Sequence, residues 1–432
     1  MSERLTVAVL NQGCKLNQAD GEAIARRLAG EGVRVVSRPE KGADGFVINT
    51  CSVTHVADAK ARQLTRLARR LSPAATIVLT GCYAETAPAN VAELTGADFV
   101  LGNAGKPEIP SPLVERLRLR GDPAAGCPDP AQGALRTRAF VKIQEGCDEM
   151  CAFCIVPRTR GRERSVPIEK VLGEVRAREA EGVLEVVLTG TQLGNYGRDL
   201  GWTEQGPRRL LEALLEGTDV PRIHLSSLQA QDIRPELVRL WRDARLNPHF
   251  HLPLQSGSDG VLRRMRRRYT ADRFREAVLL VRSSVPDVSI TTDVIAGFPG
   301  ETDADFEATA ALCREMGFAA VHAFPYSRRA GTGANLMPDQ APVAVRRQRL
   351  ERLLAIGETS ARAFRERYMG RVMPVLWEEE RRGRWSGLTP NYLRVFTNSE
   401  RNLANSLLPA RLIGLTAGGL EGELGPAGVR AA

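Results

Sequence analysis

Long apolar runs are missing from this sequence of 432 residues. No stretch approaches the roughly 20 consecutive apolar residues that span a membrane. The run Leu5–Leu10 near the start is too short for a signal peptide and is typical of a strand. We therefore expect a cytoplasmic protein with no membrane partner. In that reducing compartment, the eight cysteines indicate metal binding or catalysis rather than disulfides.

Lysine is scarce as well. Only six of the 60 basic residues are lysines, and the formal net charge is +9. A basic balance favours a polyanionic partner such as nucleic acid, and arginine is the better bidentate ligand for phosphate. A GC-rich genome would enrich arginine in the same way, so composition alone does not decide between these explanations.

Three cysteines lie within eight residues, in the spacing C-x3-C-x2-C at Cys147, Cys151 and Cys154. Thiolates select zinc, copper(I) or iron–sulfur clusters. A four-iron cluster normally takes four thiolates, and neither a fourth cysteine nor a histidine follows closely here. Three thiolates would leave one iron open, as a substrate-binding centre requires. A zinc knuckle that lacks one ligand, or three unliganded thiols, are the alternatives.

The first hundred residues predict an open parallel α/β sheet, because short apolar runs alternate with helical stretches. Cys14, Cys51 and Cys82 each follow the end of a predicted strand. Since ligands bind at the carboxyl edge of such sheets, we expect these three thiols to converge on a second cluster. The alternative is that they are scattered small hydrophobic residues.

From residue 138 onwards, the pattern predicts six β/α units, which is too few for a closed eight-stranded barrel. We therefore expect an open (β/α)6 barrel, with its active site at the carboxyl ends of the strands. A basic run at 263–268 follows the fourth strand and is either a grip on phosphate or a solvated helix face. Polar and glycine residues at the predicted strand ends include Thr189, Gly190, Ser227, Gln229, Gln255 and Asp293.

The predicted domains are residues 1–105, a linker over 106–136 that contains Cys127, the barrel over 137–368, and a small β module over 369–432 with a tail that we expect to be unstructured. This last module mixes basic and aromatic side chains, as nucleic-acid grooves do. An ordinary solvated β surface with core aromatics is an equal alternative. The side chains in question are Arg381, Arg382, Arg384, Trp385, Tyr392 and Arg394.

Short motifs recur along nearly the whole chain: Gly13-Cys14-Lys15-Leu16-Asn17-Gln18, Asn49-Thr50-Cys51, Thr80-Gly81-Cys82, the Cys147 loop, His251-Leu252-Pro253-Leu254-Gln255-Ser256-Gly257-Ser258 and Gly297-Phe298-Pro299-Gly300-Glu301-Thr302. Together they resemble the methylthiotransferases, which are radical S-adenosylmethionine (SAM) enzymes. The resemblance implies a cluster domain, a radical SAM barrel and an RNA-binding module of the TRAM type. The first motif looks most like the branch that acts on N6-threonylcarbamoyladenosine 37 of tRNA.

The resemblance also implies SAM and two [4Fe-4S] clusters as cofactors. Cys147, Cys151 and Cys154 would be the catalytic set, and Cys14, Cys51 and Cys82 would hold the second cluster. A 5′-deoxyadenosyl radical from SAM would take hydrogen from C2 of the adenine, the second cluster would deliver sulfur, and a second SAM would supply the methyl group. The candidate SAM contacts are Phe153, Thr189, Gly190, Ser227, Gln229, Gln255 and Asp293.

The implied partners are the tRNA anticodon loop, a reducing electron donor and a possible sulfur donor, whereas the oligomeric state is not indicated. The family commonly has glutamate where this chain has Gln229, which puts a carboxylate role there in doubt. Methylthiotransferases that act on isopentenyladenosine 37 or on a ribosomal protein side chain remain alternatives. An RNA-docking iron–sulfur carrier without catalysis is an alternative from another class.

Overall fold

The computed structural model describes residues 5–119, 137–202 and 205–425. The first part is a five-stranded sheet in the order β2-β1-β3-β4-β5, and every strand pair in it is parallel. β3 and β4 are buried on both faces, so they have continuous apolar sequences. In chain order the elements are β1 (Thr6–Asn11), α1 (Lys15–Gly30), β2 (Arg34–Val36), β3 (Gly45–Thr50), α2 (His55–Leu71), β4 (Thr76–Gly81), α3 (Cys82–Thr86), α4 (Val91–Thr95), β5 (Phe99–Leu101) and α5 (Pro110–Arg118).

The stretch 106–136, which the sequence predicts to be a linker, begins with the helix α5. Its side chains Leu113, Val114 and Leu117 are buried in the core that also covers one face of the sheet. A spacing of three and four residues places them on one side of the helix. Cys127 lies outside the described residues.

The second part contains six main parallel strands in two groups of three, β10-β9-β6 and β11-β12-β13. Leu246, just before β11, forms a parallel bridge with Ile223 of β10 and brings the two groups side by side. The open six-unit barrel is therefore confirmed. Its elements are β6 (Arg138–Lys142), β7 (Gln144–Glu145), α6 (Val156–Arg160), β8 (Arg164–Ser165), α7 (Ile168–Ala180), β9 (Glu185–Thr189), α8 (Gly206–Gly217), β10 (Arg222–Leu225), α9 (Pro235–Val238), β11 (His249–His251), α10 (Asp259–Arg264), α11 (Ala271–Ser284), β12 (Ser289–Ala296), α12 (Asp303–Met316), β13 (Ala320–Pro325) and α13 (Val343–Glu366).

Two details of the barrel differ from the sequence prediction. The fourth strand, predicted to reach residue 254, ends at His251, because Pro253 has no N–H to continue the ladder. The helix predicted over residues 235–243 is a short α-helix, α9, followed by a 3-10 turn at Arg239–Arg242.

The third part is a closed five-stranded barrel in the order β14-β15-β16-β18-β17. The predicted β module is therefore confirmed, but the prediction of an unstructured tail from residue 418 is wrong for 419–424, which form the strand that closes the barrel. Closure leaves no unpaired strand edge. The strands are β14 (Val372–Arg381), β15 (Arg384–Leu388), β16 (Arg394–Asn398), β17 (Ser406–Thr416) and β18 (Gly419–Leu424).

No helix within the described ranges is both long enough and apolar enough to cross a membrane.

Candidate active site

The loop that carries three cysteines depends on the glycine in front of it. Gly146 has φ +77°, and a Cβ atom there would lie 1.8 Å from the carbonyl oxygen of Arg162. Only glycine fits this conformation without displacing the neighbouring backbone. The loop therefore starts at a fixed point, directly after β6 and β7, where the rim of the barrel begins.

Hydrogen-bond donors approach two of the three sulfur atoms in this loop. The Arg267 guanidinium donates to Sγ of Cys151 at 3.3 Å, and the Glu149 N–H donates to Sγ of Cys147 at 3.4 Å. Burial raises the pKa of Cys147 to about 12 and that of Cys154 to about 11. Thiolates at neutral pH therefore need a cation at this position, and coordination to a metal supplies one.

Glu149, inside the same loop, is a buried carboxylate that two glutamines hold. Gln192 donates to its Oε1 at 3.3 Å and Gln229 donates to its Oε2 at 3.0 Å. A glutamate at position 229 would place a second negative charge against this carboxylate, whereas the amide of Gln229 donates to it. Gln229 thus braces the cysteine loop.

The three N-terminal cysteines lie at one edge of the first sheet. Cys14 immediately precedes α1, Cys51 follows β3, and Cys82 begins α3 directly after β4. Burial, with smaller contributions from the neighbouring thiols of Cys14 and Cys82, raises the pKa of Cys51 to about 11. The structure thus brings together side chains that are far apart in sequence, because the carboxyl ends of parallel strands meet at this edge.

Two glycines allow the N-terminal cysteines to come this close. Gly13 has φ +96°, and a Cβ atom there would lie 2.5 Å from Cβ of Cys51. Gly81 has φ +95°, and its Cβ atom would lie 2.4 Å from the carbonyl oxygen of Thr50. Each glycine directly precedes a cysteine, so each one sets the position of a thiol.

A cavity of about 850 Å³ joins the three parts of the molecule. Its wall includes all three N-terminal cysteines, barrel side chains such as His251 and His322, and residues of the C-terminal module such as Tyr392. The Cys147 loop borders it through the following residues, Ile155 and Val156. Four of the candidate SAM contacts lie on this wall: Thr189, Gly190, Ser227 and Asp293.

The other three candidate SAM contacts lie elsewhere. Phe153 packs edge-on against Phe298, with ring centroids 6.5 Å apart. Gln255 is buried and joins the sheet through backbone hydrogen bonds to Asp293 and Ile295. Gln229, as described above, faces the loop carboxylate.

Neither cysteine set resembles a site for a single ion. Among the residues that the structure describes, no three histidine, cysteine, aspartate or glutamate side chains are close enough to hold one metal ion. In a four-iron cluster each thiolate binds a different iron. The three free cysteines of each set match three of the four irons and would leave the fourth iron open.

Lys15, next to Cys14, is a site residue that pattern reasoning did not single out. Its side chain lies in the cavity wall near Asp293, whose carboxylate is 3.3 Å from Nε2 of His251. Burial lowers the pKa of Lys15 to about 8. Its place within the first motif was the only sequence signal for it.

A buried ionic network joins the two cysteine sets. Asp20 on α1 accepts from Lys106 at 2.7 Å, from Lys142 at 2.8 Å and from Arg160 at 3.2 Å. α1 begins directly after Cys14, and Arg160 ends α6, which follows the Cys147 loop. The network therefore holds the N-terminal domain against the barrel at the point where both cysteine sets are anchored.

The proposed nucleic-acid groove of the C-terminal module needs correction. Trp385 is buried, and the ring of the half-buried Tyr392 is engaged by another part of the protein. The Tyr392 ring stacks on His249, with centroids 4.5 Å apart, and its hydroxyl bonds to Glu185 of β9. Both side chains dock the module or fill its core instead.

The basic run at 263–268 divides into two groups. Arg264 donates to the carbonyl oxygen of Gly300, and Arg267 donates to Cys151, so both serve the barrel itself. The exposed members are Arg263, Arg266 and Arg268. Only these three remain candidates for contact with phosphate.

Comparison with known proteins shows the class of enzyme to which the fold belongs. Residues 141–313 match the model of the radical SAM superfamily, and residues 6–102 match a model described as uncharacterized protein family UPF0004. The radical SAM methyltransferase TsrM from Kitasatospora setae, solved with cobalamin and a [4Fe-4S] cluster, has a similar fold. Its TM-score is 0.55 at 15% identity, and 77% of each chain is covered. The fold and the cysteine loop define a radical SAM enzyme.

Curated relatives show to which family of radical SAM enzymes the chain belongs. The threonylcarbamoyladenosine tRNA methylthiotransferase MtaB of Bacillus subtilis (strain 168) is 35% identical over 94% of each chain. The protein of the same name from Aquifex aeolicus is 36% identical over 90% of this chain and 96% of its own. The tRNA-2-methylthio-N(6)-dimethylallyladenosine synthase of Moorella thermoacetica is 34% identical over 98% of each chain. This chain belongs to the methylthiotransferase family of radical SAM enzymes.

Proposed function

We propose that this protein inserts a methylthio group at C2 of N6-threonylcarbamoyladenosine 37 in tRNA. The observation that carries the proposal is the match, along almost the full length of both chains, to relatives named for this reaction. The cavity supports it, because the N-terminal cysteines line it and Ile155 and Val156, which directly follow the Cys147 loop, border it. Sulfur insertion and hydrogen abstraction must reach the same carbon atom. The barrel match also argues against an RNA-docking carrier, which needs no such barrel.

The cofactors are SAM and [4Fe-4S] clusters. We assign one cluster to Cys147, Cys151 and Cys154, and the other to Cys14, Cys51 and Cys82. When bound, these groups supply the reductive cleavage of SAM and the sulfur for transfer. The protein's own part is to fix the thiols, to brace the loop through Glu149 and to shield the reacting carbon in the cavity.

The rim residues on the cavity wall are our candidates for contact with SAM. They lie at the ends of the barrel strands and offer three kinds of group: the hydroxyls of Thr189 and Ser227, the backbone of Gly190 and the carboxylate of Asp293. Phe153, Gln229 and Gln255 act through the loop and the sheet instead, as their contacts indicate.

A tRNA substrate implies further partners for this protein. The anticodon loop of tRNA is the docking region, and exposed arginines such as Arg263 and Arg266 are candidates for phosphate contact. A reducing electron donor and a sulfur donor complete the set, and the cytoplasm is the compartment where tRNA and reductant meet. The dimethylallyladenosine substrate of the Moorella relative is the second candidate substrate.

Two single variants separate the roles of the cysteine sets. The protein is reconstituted anaerobically with iron and sulfide, then supplied with SAM, reductant and tRNA that carries threonylcarbamoyladenosine. We expect wild type to form 5′-deoxyadenosine and the methylthio nucleoside. Cys151→Ala should form neither product, whereas Cys51→Ala should still form deoxyadenosine but no methylthio nucleoside. Methylthio formation by Cys51→Ala at the wild-type rate would contradict the assignment.

A further inference from the structure

One basic side chain on the cavity wall, among the described residues, makes no direct contact with a carboxylate. Five lysine and arginine side chains line the cavity, and Lys15 is the only lysine among them. In the described part of the chain, its ammonium group forms no ion pair and donates no hydrogen bond. The other four form ion pairs within the protein: Arg138 with Glu378, Arg160 with Asp20, Arg365 with Glu358, and Arg394 with Glu378.

The acidic groups on the cavity wall are already engaged. Asp293 contacts His251 at 3.3 Å, and Glu358 pairs with Arg365 at 2.6 Å. Glu185 and Asp293 are near enough to favour the charged form of Lys15, but neither forms an ion pair with it. Because a buried cation without a direct ion pair is costly, a ligand in the cavity that carries an anionic group would supply the contact that these carboxylates do not.

The position of Lys15 indicates which part of the substrate could carry the anionic group. Lys15 directly follows Cys14, and its wall faces barrel residues such as Asp293 and His322. A nucleobase whose C2 atom lies near the N-terminal thiols would place its N6 substituent in the same cavity. The threonylcarbamoyl substituent ends in a carboxylate, whereas the dimethylallyl substituent has no charge.

We propose that Lys15 binds the carboxylate of the threonylcarbamoyl group and selects this substrate over tRNA with an uncharged N6 substituent. The inference rests on the proposed function. An ion pair favours the charged substrate, and an unpaired ammonium disfavours the apolar one, so both effects act in the same direction. The methionine carboxylate of SAM offers the same chemistry and is the competing source of the anion.

The test measures binding of anticodon stem-loop RNA to the reconstituted protein. One RNA carries threonylcarbamoyladenosine, and the other carries the threoninamide analogue, in which a neutral amide replaces the carboxylate. We expect wild type to bind the first RNA roughly tenfold or more tightly. Lys15→Met should bind both RNAs alike, Lys15→Arg should keep most of the preference, and Lys60→Met, at an exposed lysine of α2, should keep all of it.

Two further measurements are made beside the binding constants: the iron content and the affinity for SAM. The iron content of Lys15→Met should equal that of wild type, and its affinity for SAM should be unchanged. If Lys15→Met loses iron, the comparison of the two RNAs on wild-type protein still tests whether the carboxylate is recognised. Equal binding of both RNAs by wild type overturns the proposal, and so does a loss of SAM affinity in Lys15→Met with the RNA preference intact.

Failure of this inference is distinguishable from failure of the proposed function. If wild type methylthiolates the threonylcarbamoyl RNA but binds the amide analogue equally well, the function stands and the role of Lys15 is wrong. If wild type modifies only RNA that carries dimethylallyladenosine, the proposed substrate itself is wrong.

Discussion

At the scale of single residues, the cysteine loop depends on side chains that are not ligands. Glu149 is held by two amides, and Arg267 reaches Sγ of Cys151. Hydrogen bonds of this kind orient metal ligands and tune the metal centre. None of them follows from the spacing of the cysteines, because each partner comes from a distant part of the chain.

Arg267→Met should make the reduction potential of the loop cluster more negative, by on the order of 50 mV. The reduced cluster carries the extra negative charge, so it loses more than the oxidised cluster when a cationic donor to sulfur is removed. A redox titration followed by EPR, in a Cys51→Ala background, measures the potential. Arg263→Met, at an exposed arginine of the neighbouring helix, should leave it unchanged. An unshifted potential in Arg267→Met would contradict the contact.

At the scale of helices and strands, elements with a regular apolar pattern could be predicted from the sequence. Contacts between side chains of different elements could not. Alternating apolar runs were sufficient to predict the parallel sheet and the six barrel units. A helix at the basic run 263–268 was only one of two interpretations, because α10 has six residues and is too short to show a helical repeat. The ring contacts of Tyr392 could not be predicted, because they are made with His224 and His249 of another domain.

The same limit applies to the candidate site. The cysteines and four rim residues could be placed from strand ends alone, since parallel strands share an edge. The role of Gln229 could not be, because it is decided by Glu149 in a distant loop of the same barrel. The role of Lys15 could not be either, because the side chains that share its cavity wall come from another domain. Sequence pattern predicts the position of such residues along an element but not the residue that faces them.

Gly81→Ala should reduce the iron bound by the N-terminal cysteines. Its Cβ atom would lie 2.4 Å from the carbonyl oxygen of Thr50, so the start of α3 and its thiol must move. Gly42→Ala is the matched control, because Gly42 has a similar φ of +80° but no atom within 4 Å. The iron content of Gly81→Ala should fall toward that of the Cys147 loop alone, while the control keeps the wild-type value. Equal iron content in both variants would contradict this reading.

At the scale of the whole molecule, the N-terminal domain and the barrel are joined by buried charges. Asp20 meets Lys106 from its own domain and Lys142 and Arg160 from the barrel region. Arg329, near the end of the barrel, pairs with Asp58 at 2.7 Å and bonds to Ser52, next to Cys51. These contacts fix the two cysteine sets relative to the shared cavity.

Asp20→Asn should lower the free energy of unfolding by about 3–5 kcal/mol, because it leaves buried cations without a counter-charge. Glu40→Gln, in a solvent-accessible pair with Arg34 at 2.5 Å, should cost far less, because water screens such a pair. The midpoint of urea unfolding at neutral pH measures both. Similar midpoint shifts for the two variants would show that the network contributes no more than a surface pair.

The pH dependence of the Asp20 effect has a defined sign. Burial alone would raise the pKa of Asp20, but Lys106, Lys142 and Arg160 together hold it well below its usual range. A lowered pKa contributes stability above the unfolded-state value of about 3.9, and this contribution is lost as the pH falls toward the folded value. The difference between wild type and Asp20→Asn should therefore be constant near neutral pH and shrink below about pH 4.

The most direct test of the central claim is a competition between two tRNA substrates. The reconstituted protein receives SAM, reductant and equal amounts of tRNA that carries threonylcarbamoyladenosine or dimethylallyladenosine at position 37, and the digested nucleosides are analysed by mass spectrometry. We expect one methylthio group on threonylcarbamoyladenosine and almost none on the other nucleoside. Modification of dimethylallyladenosine alone, or deoxyadenosine formation with neither nucleoside changed, would contradict it.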